Sequence, residues 1–182
     1  MKNININPTR DGIITALKKM GAKINIFNKR VVSEEVVADM EVEYSQLSGC
    51  ELGPEMAKLM IDEYPILSIA AAFANSPSLF KGLEELKVKE SNRLELIRSN
   101  LVNCGCDCKV INNDLLIKPL EVRSEKKINI RTSFDHRIAM SFAVMGSKIG
   151  KLEIEDVDSI NTSFPTFIDI FNKSGGKFLW LK

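Results

Sequence analysis

Two spacings of apolar residues alternate along the chain, and they predict alternating helices and strands. In five stretches the apolar positions recur every three or four residues, as on the buried face of a helix; elsewhere apolar and polar residues alternate, as in a half-buried strand. The predicted helices cover 13–20, 66–75, 87–104, 138–146 and 162–174. The predicted strands cover 3–7, 23–27, 36–44, 78–83, 108–111, 115–117, 127–131, 151–154 and 177–181. This alternation predicts a mixed α/β (α+β) fold.

Similar segments recur along the chain and indicate a repeated α/β unit. The amphipathic helices end at Gly21, Gly105 and Gly175, and a strand follows each glycine. The two apolar helices instead follow Asp62 and Asp135, and they should be buried because they are apolar on nearly every face. Hairpin-like strand pairs are too frequent for a doubly wound parallel sheet. If the helices pack side by side and parallel, their N-termini meet at one rim.

Composition narrows the functional classes. The 182 residues are 45% hydrophobic and 27% charged, with a net charge of +1, so a broad nucleic-acid-binding surface is not expected. No apolar run approaches the roughly 20 residues that span a bilayer. The N-terminus lacks the apolar core of a signal peptide and starts as a strand, as if it belonged to a longer protein.

The cysteines do not have the spacing of a metal site. Cys104, Cys106 and Cys108 alternate with other residues, the fourth is Cys50, and the chain has one histidine. On a strand, Cys106 and Cys108 point to the same face, which suggests small core residues. The sequence therefore predicts no metal and a reduced, cytosolic (cytoplasmic) setting.

Cations are concentrated where a helix is predicted to begin. Lys89 and Arg93 would share a helical face at a spacing of four residues and would repel one another. A helix N-terminus already carries partial positive charge, so added cations there suit the binding of an anion such as phosphate or carboxylate. Glu90 within this positive field is a candidate proton carrier. The alternative is a solvated, loosely paired start of a surface helix.

Five motifs carry a resemblance to a known family. They are, in order, Asn7-Pro8-Thr9-Arg10, Asp62-Glu63-Tyr64-Pro65, Lys89-Glu90-Ser91-Asn92-Arg93-Leu94, Asp135-His136-Arg137-Ile138-Ala139-Met140 and Ser163-Phe164-Pro165. Together they resemble the signatures of the 5-enolpyruvylshikimate-3-phosphate synthase family. The resemblance runs from end to end of the chain and covers the C-terminal portion of that enzyme, somewhat under half of it. It implies that 1–182 is one lobe of the enolpyruvyl transferase inside-out barrel, built from repeated βαβαββ units with parallel buried helices.

The resemblance also implies an activity and roles for five residues. The family transfers the enolpyruvyl group of phosphoenolpyruvate to the 5-hydroxyl of shikimate 3-phosphate and releases phosphate, with no metal or organic cofactor. By resemblance, Asp62 orients shikimate 3-phosphate and is a candidate base at its hydroxyl, and Glu90 is the candidate proton donor and acceptor at the phosphoenolpyruvate methylene. Arg93 and Arg137 are implied ligands of the phosphoenolpyruvate carboxylate and phosphate. Lys89 is implied to contact shikimate 3-phosphate.

The chain departs from the family pattern in three respects. The family usually has Asp where this chain has Asn92, so a carboxylate near Arg93 is missing. It usually has Lys where this chain has Thr162, so one cation that contacts the phosphoenolpyruvate phosphate is missing. The entire first lobe is absent, and with it half of the cleft. We therefore expect little activity from the chain without a partner that supplies the N-terminal lobe.

Structural interpretations of the same residues remain open. Asp62 and Asp135 could serve only as helix N-caps, and Arg93 could be only a surface partner of Glu90. His136 is more often a packed residue than a catalyst and is left out of the catalytic set.

Two other functional hypotheses compete with the synthase lobe. One is a UDP-N-acetylglucosamine enolpyruvyl transferase relative, against which two of the motifs argue. The other is a noncatalytic domain that retains an anion pocket or only the fold, which Asn92 and Thr162 favour. Whichever holds, an uncovered lobe face should promote self-association.

Overall fold

The computed structural model describes residues 1–121 and 127–179 of the chain, and the predicted alternation of helices and strands is present there. The strands are β1 (Ile4–Asn5), β2 (Lys23–Val32), β3 (Glu35–Glu43), β4 (Glu51–Leu52), β5 (Ser78–Phe80), β6 (Cys108–Ile111), β7 (Asp114–Ile117), β8 (Ile128–Ile130) and β9 (Leu152–Ile154). The α-helices are α1 (Gly12–Lys19), α2 (Ala57–Met60), α3 (Tyr64–Ala72), α4 (Arg93–Asn103), α5 (His136–Ile149) and α6 (Phe167–Lys173). Short 3₁₀ segments cover Pro54–Met56, Ile61–Glu63, Glu84–Val88 and Val157–Thr162.

The strands form three small sheets with a recurring connectivity. The first has the order β1-β3-β2, with antiparallel neighbours throughout. The second has the order β4-β5-β7-β6, in which β4 pairs parallel with β5 and the other pairs are antiparallel. The third is the parallel pair β8-β9. Residues 51–117 therefore contain one complete βαβαββ unit, which confirms the predicted repeat.

The three amphipathic helices α1, α4 and α6 end in the same way. In each, a glycine with positive φ follows the helix: Gly21 (φ 92°), Gly105 (φ 88°) and Gly175 (φ 95°). Each glycine N–H donates to a carbonyl three residues earlier, and the next N–H donates to a carbonyl five residues earlier. This pair of bonds satisfies carbonyls that the helix leaves without partners, and glycine adopts the required left-handed conformation without a steric penalty.

The two apolar helices lie in the core, as their composition predicted. α3 packs against α4, α5 and β7, and Tyr64 at its start meets Phe80 of β5 edge to face with ring centroids 5.7 Å apart. Leu67 of α3 and Phe142 of α5 are fully buried. Apolar burial of this kind stabilises the fold by roughly 25 cal/mol per Å² removed from water.

The cysteines behave as small core residues. Cys104, Cys106 and Cys108 are buried, Cys50 is half-buried, and none of the four forms a disulfide within the described residues. Burial raises the pKa of Cys104 and Cys108 to about 12 and that of Cys106 to about 11, so the thiols stay protonated and unreactive near neutral pH.

The predicted start of α4 is wrong. The helix begins at Arg93, and Lys89 lies before it with extended backbone angles (φ −83°, ψ −158°), so Lys89 and Arg93 do not share a helical face. The Asn92 side chain caps the helix by accepting a hydrogen bond from the Glu95 N–H at 3.1 Å. The residues before Asn92 form the 3₁₀ segment Glu84–Val88 and a short bent connection at 89–91.

The C-terminal predictions also need correction. The last helix starts at Phe167 and not at Thr162 as predicted. Thr162 is instead the last residue of the preceding 3₁₀ segment, Val157–Thr162. Residues 177–179 are not in a strand, and the rest of the predicted strand 177–181 lies outside the described residues. The Asn172 amide accepts a hydrogen bond from the Phe178 N–H at 2.7 Å and donates one to the Phe178 carbonyl at 3.2 Å.

Candidate active site

Four helix N-termini meet at one edge of the molecule through charged side chains. Arg93 opens α4, Asp135 and Arg137 lie at the start of α5, and Asp62 lies in the 3₁₀ segment that leads into α3. Arg10, just before α1, reaches Asp62 at 3.9 Å. The structure thus brings together the N-termini of α1, α3, α4 and α5.

The α6 N-terminus does not join this cluster through hydrogen bonds or ion pairs of the described residues. The Thr162 hydroxyl donates to the Ser159 carbonyl of its own 3₁₀ segment at 2.7 Å.

Arg93 is the centre of the cluster. Its side chain is completely buried, and its guanidinium contacts three carboxylates. Nε donates to Asp135 Oδ2 at 2.8 Å, and Nη1 donates to Asp62 Oδ1 at 2.8 Å. Nη2 lies 2.5 Å from Glu90 Oε2, yet this contact lacks hydrogen-bond geometry, so it is a charge contact and not a directional bond.

These contacts decide between the interpretations of Arg93. It is not a surface partner of Glu90, because it is buried and is held by two carboxylates from other elements. Burial lowers the pKa of Arg93, but its bond to Asp135 and the charges of Asp135 and Glu90 outweigh that effect and raise the pKa above its ordinary value. Arg93 therefore remains a fixed cation that joins α4 to the starts of α3 and α5.

Asp135 has a larger role than the sequence suggested. It is buried and caps α5 by accepting from the Arg137 N–H at 3.0 Å. It also accepts from the Ser91 hydroxyl at 2.8 Å, in addition to its bond from Arg93. Burial raises the pKa of Asp135. The hydrogen bonds and the Arg93 charge lower it by a larger amount, so the pKa lies below its ordinary value. The sequence places Asp135 at the start of an apolar helix but does not show that Arg93 is buried and requires a carboxylate partner.

Asp62 is not a helix N-cap. The cap position of α3 is Glu63, and no side chain caps that helix. Asp62 instead faces arginines: Arg93, Arg137 through Nη2 at 3.3 Å, and the more distant Arg10. Arg137 Nη1 also donates to the Asp62 carbonyl at 3.4 Å. A carboxylate held by arginines from three elements is fixed in direction, as a group that orients a substrate must be.

Glu63 is a site residue that the sequence analysis did not single out. Burial and the neighbouring Asp62 raise its pKa, and Arg137 and Arg10 lower it only in part. Because its pKa is raised, the Glu63 carboxyl keeps its proton to a higher pH than an ordinary glutamate does.

Lys89 and Glu90 occupy the connection before α4, next to the cluster. Glu90 is about half exposed, with 54% of its side chain accessible, so it faces the open side of the site. Lys89 is half-buried and forms no ion pair with any residue in 1–121 or 127–179. The structure thus brings together the predicted residues Asp62, Glu90, Arg93 and Arg137, and Lys89 directly precedes Glu90 in the chain.

The Ser91–Asp135 hydrogen bond makes stability depend on pH. Because the folded-state pKa of Asp135 lies below its ordinary value of 3.8, this contribution is present above that pH and is lost as pH falls through the folded-state pKa. We expect Ser91→Ala to lower the unfolding free energy by about 1.5–3 kcal/mol at pH 7, and by progressively less once the pH falls through the folded-state pKa of Asp135. Urea unfolding across a series of pH values from 7 downward measures this. Ser147→Ala removes a hydroxyl whose hydrogen bond within the described residues goes to the Val144 carbonyl; it is the control and should show no such pH dependence. A Ser91→Ala loss that stays constant down to the pH at which the protein unfolds would contradict the assignment.

No group of three or more His, Cys, Asp or Glu residues within 1–121 and 127–179 has the arrangement of a metal site. In the same part of the chain, no helix is both long and apolar enough to span a bilayer.

Comparison with known proteins identifies the family of this chain. The family model described as EPSP synthase (3-phosphoshikimate 1-carboxyvinyltransferase) matches residues 1–171. The 3-phosphoshikimate 1-carboxyvinyltransferase of Gluconobacter oxydans is 42% identical over 180 residues, which are 96% of this chain and 40% of that relative. The relative from Mesorhizobium japonicum is 41% identical over 188 residues, with 97% and 41% coverage.

Solved structures give the same result. An EPSP synthase from Acinetobacter baumannii superposes with a TM-score of 0.88 at 35% identity, covering 95% of this chain and 40% of that one. The enolpyruvyl transferase NikO from Streptomyces tendae, at 15% identity and a TM-score of 0.66, shares the fold. The chain spans about 40% of the length of these EPSP synthase relatives. On these matches, the chain belongs to the EPSP synthase (3-phosphoshikimate 1-carboxyvinyltransferase) family.

Proposed function

We propose that this chain is the C-terminal lobe of a 5-enolpyruvylshikimate-3-phosphate synthase and forms one wall of its substrate cleft. In this proposal the complete enzyme transfers the enolpyruvyl group of phosphoenolpyruvate to the 5-hydroxyl of shikimate 3-phosphate and releases phosphate. The observation that carries it is the meeting of Asp62, Glu90, Arg93 and Arg137 where helices α3, α4 and α5 begin. The family match alone does not supply that geometry.

The charges of the cluster suit small polyanions. Helix N-termini contribute partial positive charge, and Arg137 and Lys89 add cations that are not fully enclosed. We assign the phosphoenolpyruvate carboxylate and phosphate to Arg137, whose side chain is partly exposed. The resemblance implies that Arg93 binds them too, but its side chain is completely buried and its Nη2 lies against Glu90, so it contributes a fixed positive charge and not a direct contact. We assign shikimate 3-phosphate to Lys89 and Asp62.

The proton transfers fall to Asp62 and Glu90. Asp62 takes the proton of the 5-hydroxyl as its oxygen bonds to C2 of phosphoenolpyruvate, and Glu90 protonates the methylene carbon. Glu90 then removes a proton from the methyl group so formed as the bond from C2 to the phosphate oxygen breaks, and the departing phosphate takes up the proton held by Asp62. Glu90 suits this role because its exposed oxygens can reach a substrate while the fixed Arg93 charge holds it in place. No metal or organic cofactor has a part in this scheme.

The two departures from the family pattern affect the site differently. Asn92 still caps α4, although it lacks the negative charge of the usual Asp. Three carboxylates surround Arg93 without it, so the cluster stays intact. Thr162 carries no charge, and its hydroxyl donates to a carbonyl of its own 3₁₀ segment. It therefore does not replace the positive charge of the usual lysine. Weaker phosphate binding than in a lysine-containing relative is the expected consequence.

Phosphate release tests the proposed function. Shikimate 3-phosphate and phosphoenolpyruvate are mixed with this chain alone, and with this chain plus the separately expressed part of the Gluconobacter oxydans relative that it does not match. We expect release only from the mixture of both polypeptides. Activity of the chain alone would refute the need for a partner, and an inactive but fully formed complex would favour a noncatalytic anion-binding domain. The four free thiols support a cytoplasmic setting as part of this proposal.

Arg137→Ala should weaken phosphoenolpyruvate binding roughly tenfold or more and leave the fold intact. About a third of its side chain is exposed (32%), and its side-chain bonds within the described residues go to Asp62, so its removal disturbs little packing. Loss of a charged hydrogen bond between Arg137 and phosphoenolpyruvate should raise the dissociation constant roughly tenfold or more. Calorimetric titration of phosphoenolpyruvate into the two-polypeptide complex measures it. Arg98→Ala, which removes an arginine paired with Glu95 outside the cluster, is the control; unchanged affinity in Arg137→Ala would refute the assignment.

A further inference from the structure

The connection between β8 and α5 contains two consecutive residues in the left-handed backbone conformation. Ser133 has φ 50° and Phe134 has φ 59°. In the described part of the chain, Phe134 is the only aromatic residue with positive φ, and a bulky side chain is strained in this conformation. Asp135, which caps α5, follows directly. A strained turn therefore lies immediately before the helix that carries Arg137.

Hydrogen bonds to one carboxylate, and not packing of the ring, hold this turn. Phe134 is 75% exposed, so burial of its ring does little to offset the strain. Asp156 Oδ2 accepts from the Phe134 N–H at 3.3 Å. The buried Thr132 hydroxyl lies within hydrogen-bonding distance of the same oxygen, at 3.2 Å, and of the Glu155 carbonyl, at 3.1 Å. The Asp156 carboxylate thus contacts the residue before the left-handed pair and the second residue of that pair.

The carboxylate and the turn are both attached to rigid elements. Strands β8 and β9 pair parallel, and the Glu155 N–H continues this pairing by donating to the Ile130 carbonyl at 3.1 Å. Asp156 follows directly and therefore lies at the end of a paired strand. On the other side, the Asn100 side chain of α4 donates to the Arg131 carbonyl at 2.7 Å and accepts from its N–H at 3.1 Å. The freedom that remains in this connection lies in the turn itself.

We propose that Asp156 is a positioning residue for Arg137. Its carboxylate holds the left-handed turn and thereby fixes where α5 begins. The turn is tied to the helix because the Asp135 N–H donates to the Thr132 carbonyl at 3.0 Å, and the Asp135 carboxylate accepts from the Arg137 N–H at 3.0 Å.

Placement of the backbone matters for Arg137 because its side chain is held only loosely. Its contacts with Asp62 within the described residues are long, at 3.3 Å to the carboxylate and 3.4 Å to the carbonyl. The guanidinium therefore points at an anion only if α5 begins at the right place, and a small misplacement weakens such a contact strongly. This inference rests on the proposed function, in which Arg137 binds phosphoenolpyruvate.

Calorimetric titration of phosphoenolpyruvate into the two-polypeptide complex tests the inference. Asp156→Gly removes the carboxylate but tolerates the left-handed backbone of this position (φ 49°). It should raise the dissociation constant about tenfold, as loss of the Arg137 contact would. Asp156→Asn should keep most of the affinity, because asparagine retains an acceptor oxygen and also tolerates this backbone. Asp158→Gly, which replaces an exposed aspartate of the 3₁₀ segment that follows, is the matched control and should bind normally. Losses in Asp156→Asn or Asp158→Gly as large as in Asp156→Gly would overturn the inference.

A double-mutant cycle shows whether Asp156 acts through Arg137. In a chain that already carries Arg137→Ala, Asp156→Gly should weaken binding by less than about twofold, because the contact that it positions is absent. A general loss of structure would instead lower the affinity equally in both backgrounds, and such additive losses would contradict the inference.

Hydrogen exchange in this chain alone separates the inference from the proposed function. The Arg137 amide should exchange about tenfold or more faster in Asp156→Gly than in Asp158→Gly, because the start of α5 opens more readily without the Asp156 carboxylate. Unchanged exchange in a chain whose complex binds phosphoenolpyruvate would refute only this inference. Faster exchange in a chain whose unsubstituted complex binds no phosphoenolpyruvate would refute only the proposed function.

Discussion

Replacing Arg93 with methionine should lower the unfolding free energy by about 3–5 kcal/mol, because it leaves buried carboxylates without their cation. Asp135 is completely enclosed, and Asp62 faces the same guanidinium from another element. Methionine retains much of the apolar stem, so the loss reports the charge and not a cavity. Since domains are typically stable by about 5–15 kcal/mol, this is a large fraction of the total.

Arg98→Met is the matched control for this experiment. Arg98 lies on the same helix and pairs with Glu95 three residues earlier, as Arg93 pairs with Glu90, but Arg98 is partly exposed and Glu95 is about half exposed. Exposed pairs of this kind contribute about 0–1 kcal/mol. Chemical denaturation of both variants measures the difference. A loss below about 1 kcal/mol for Arg93→Met would show that the buried cluster does not hold the three helix starts together.

Replacing Glu90 with glutamine should lower kcat of the two-polypeptide complex by about 10²–10⁴-fold, the usual contribution of a general acid or base. Glutamine keeps the shape of the side chain but cannot carry the transferred proton. Stability should change little, because more than half of the Glu90 side chain is exposed and its contact with Arg93 lacks hydrogen-bond geometry.

Glu95→Gln is the control for Glu90→Gln. Its side chain is 52% exposed, close to the 54% of Glu90, and it also pairs with an arginine three residues later. Steady-state phosphate release measures kcat for both complexes, and the control should match the unsubstituted chain. If Glu90→Gln retained kcat within about threefold, the proton transfers would need a different carboxyl, and Glu63, whose pKa is raised, would be the next to test.

The sequence predicted the repeat well because each boundary has a local physical cause. Gly21, Gly105 and Gly175 end their helices through the same left-handed turn. The apolar helices α3 and α5 are buried as their composition requires. These features depend on short-range spacing, which a sequence displays directly.

The charge pattern predicts the start of α4 wrongly, because the helix begins where its N-cap lies and not where the cations are concentrated. Asn92 is a favoured N-cap residue, and Glu95 follows three positions later, a recognised signal for a helix start. That signal would have placed Lys89 outside the helix and removed the supposed repulsion from Arg93. The role of Asp135 could not be found in this way, since its contact with Arg93 joins positions 42 residues apart.

The residue set of the site came from motif resemblance, and the structure adds the connections among its members. Spacing along the chain does not show that Asp62 lies between Arg93 and Arg137. That position depends on how α3, α4 and α5 pack, which is a property of the folded core.

A crystal structure of the two-polypeptide complex with shikimate 3-phosphate and phosphoenolpyruvate would show directly whether the starts of α3, α4 and α5 bind the substrates. We expect phosphate or carboxylate oxygens within hydrogen-bonding distance of Arg137 and Lys89, with the Glu90 carboxyl beside the phosphoenolpyruvate methylene. Both substrates bound away from the starts of α3, α4 and α5, with no contact to these three residues, would contradict this expectation.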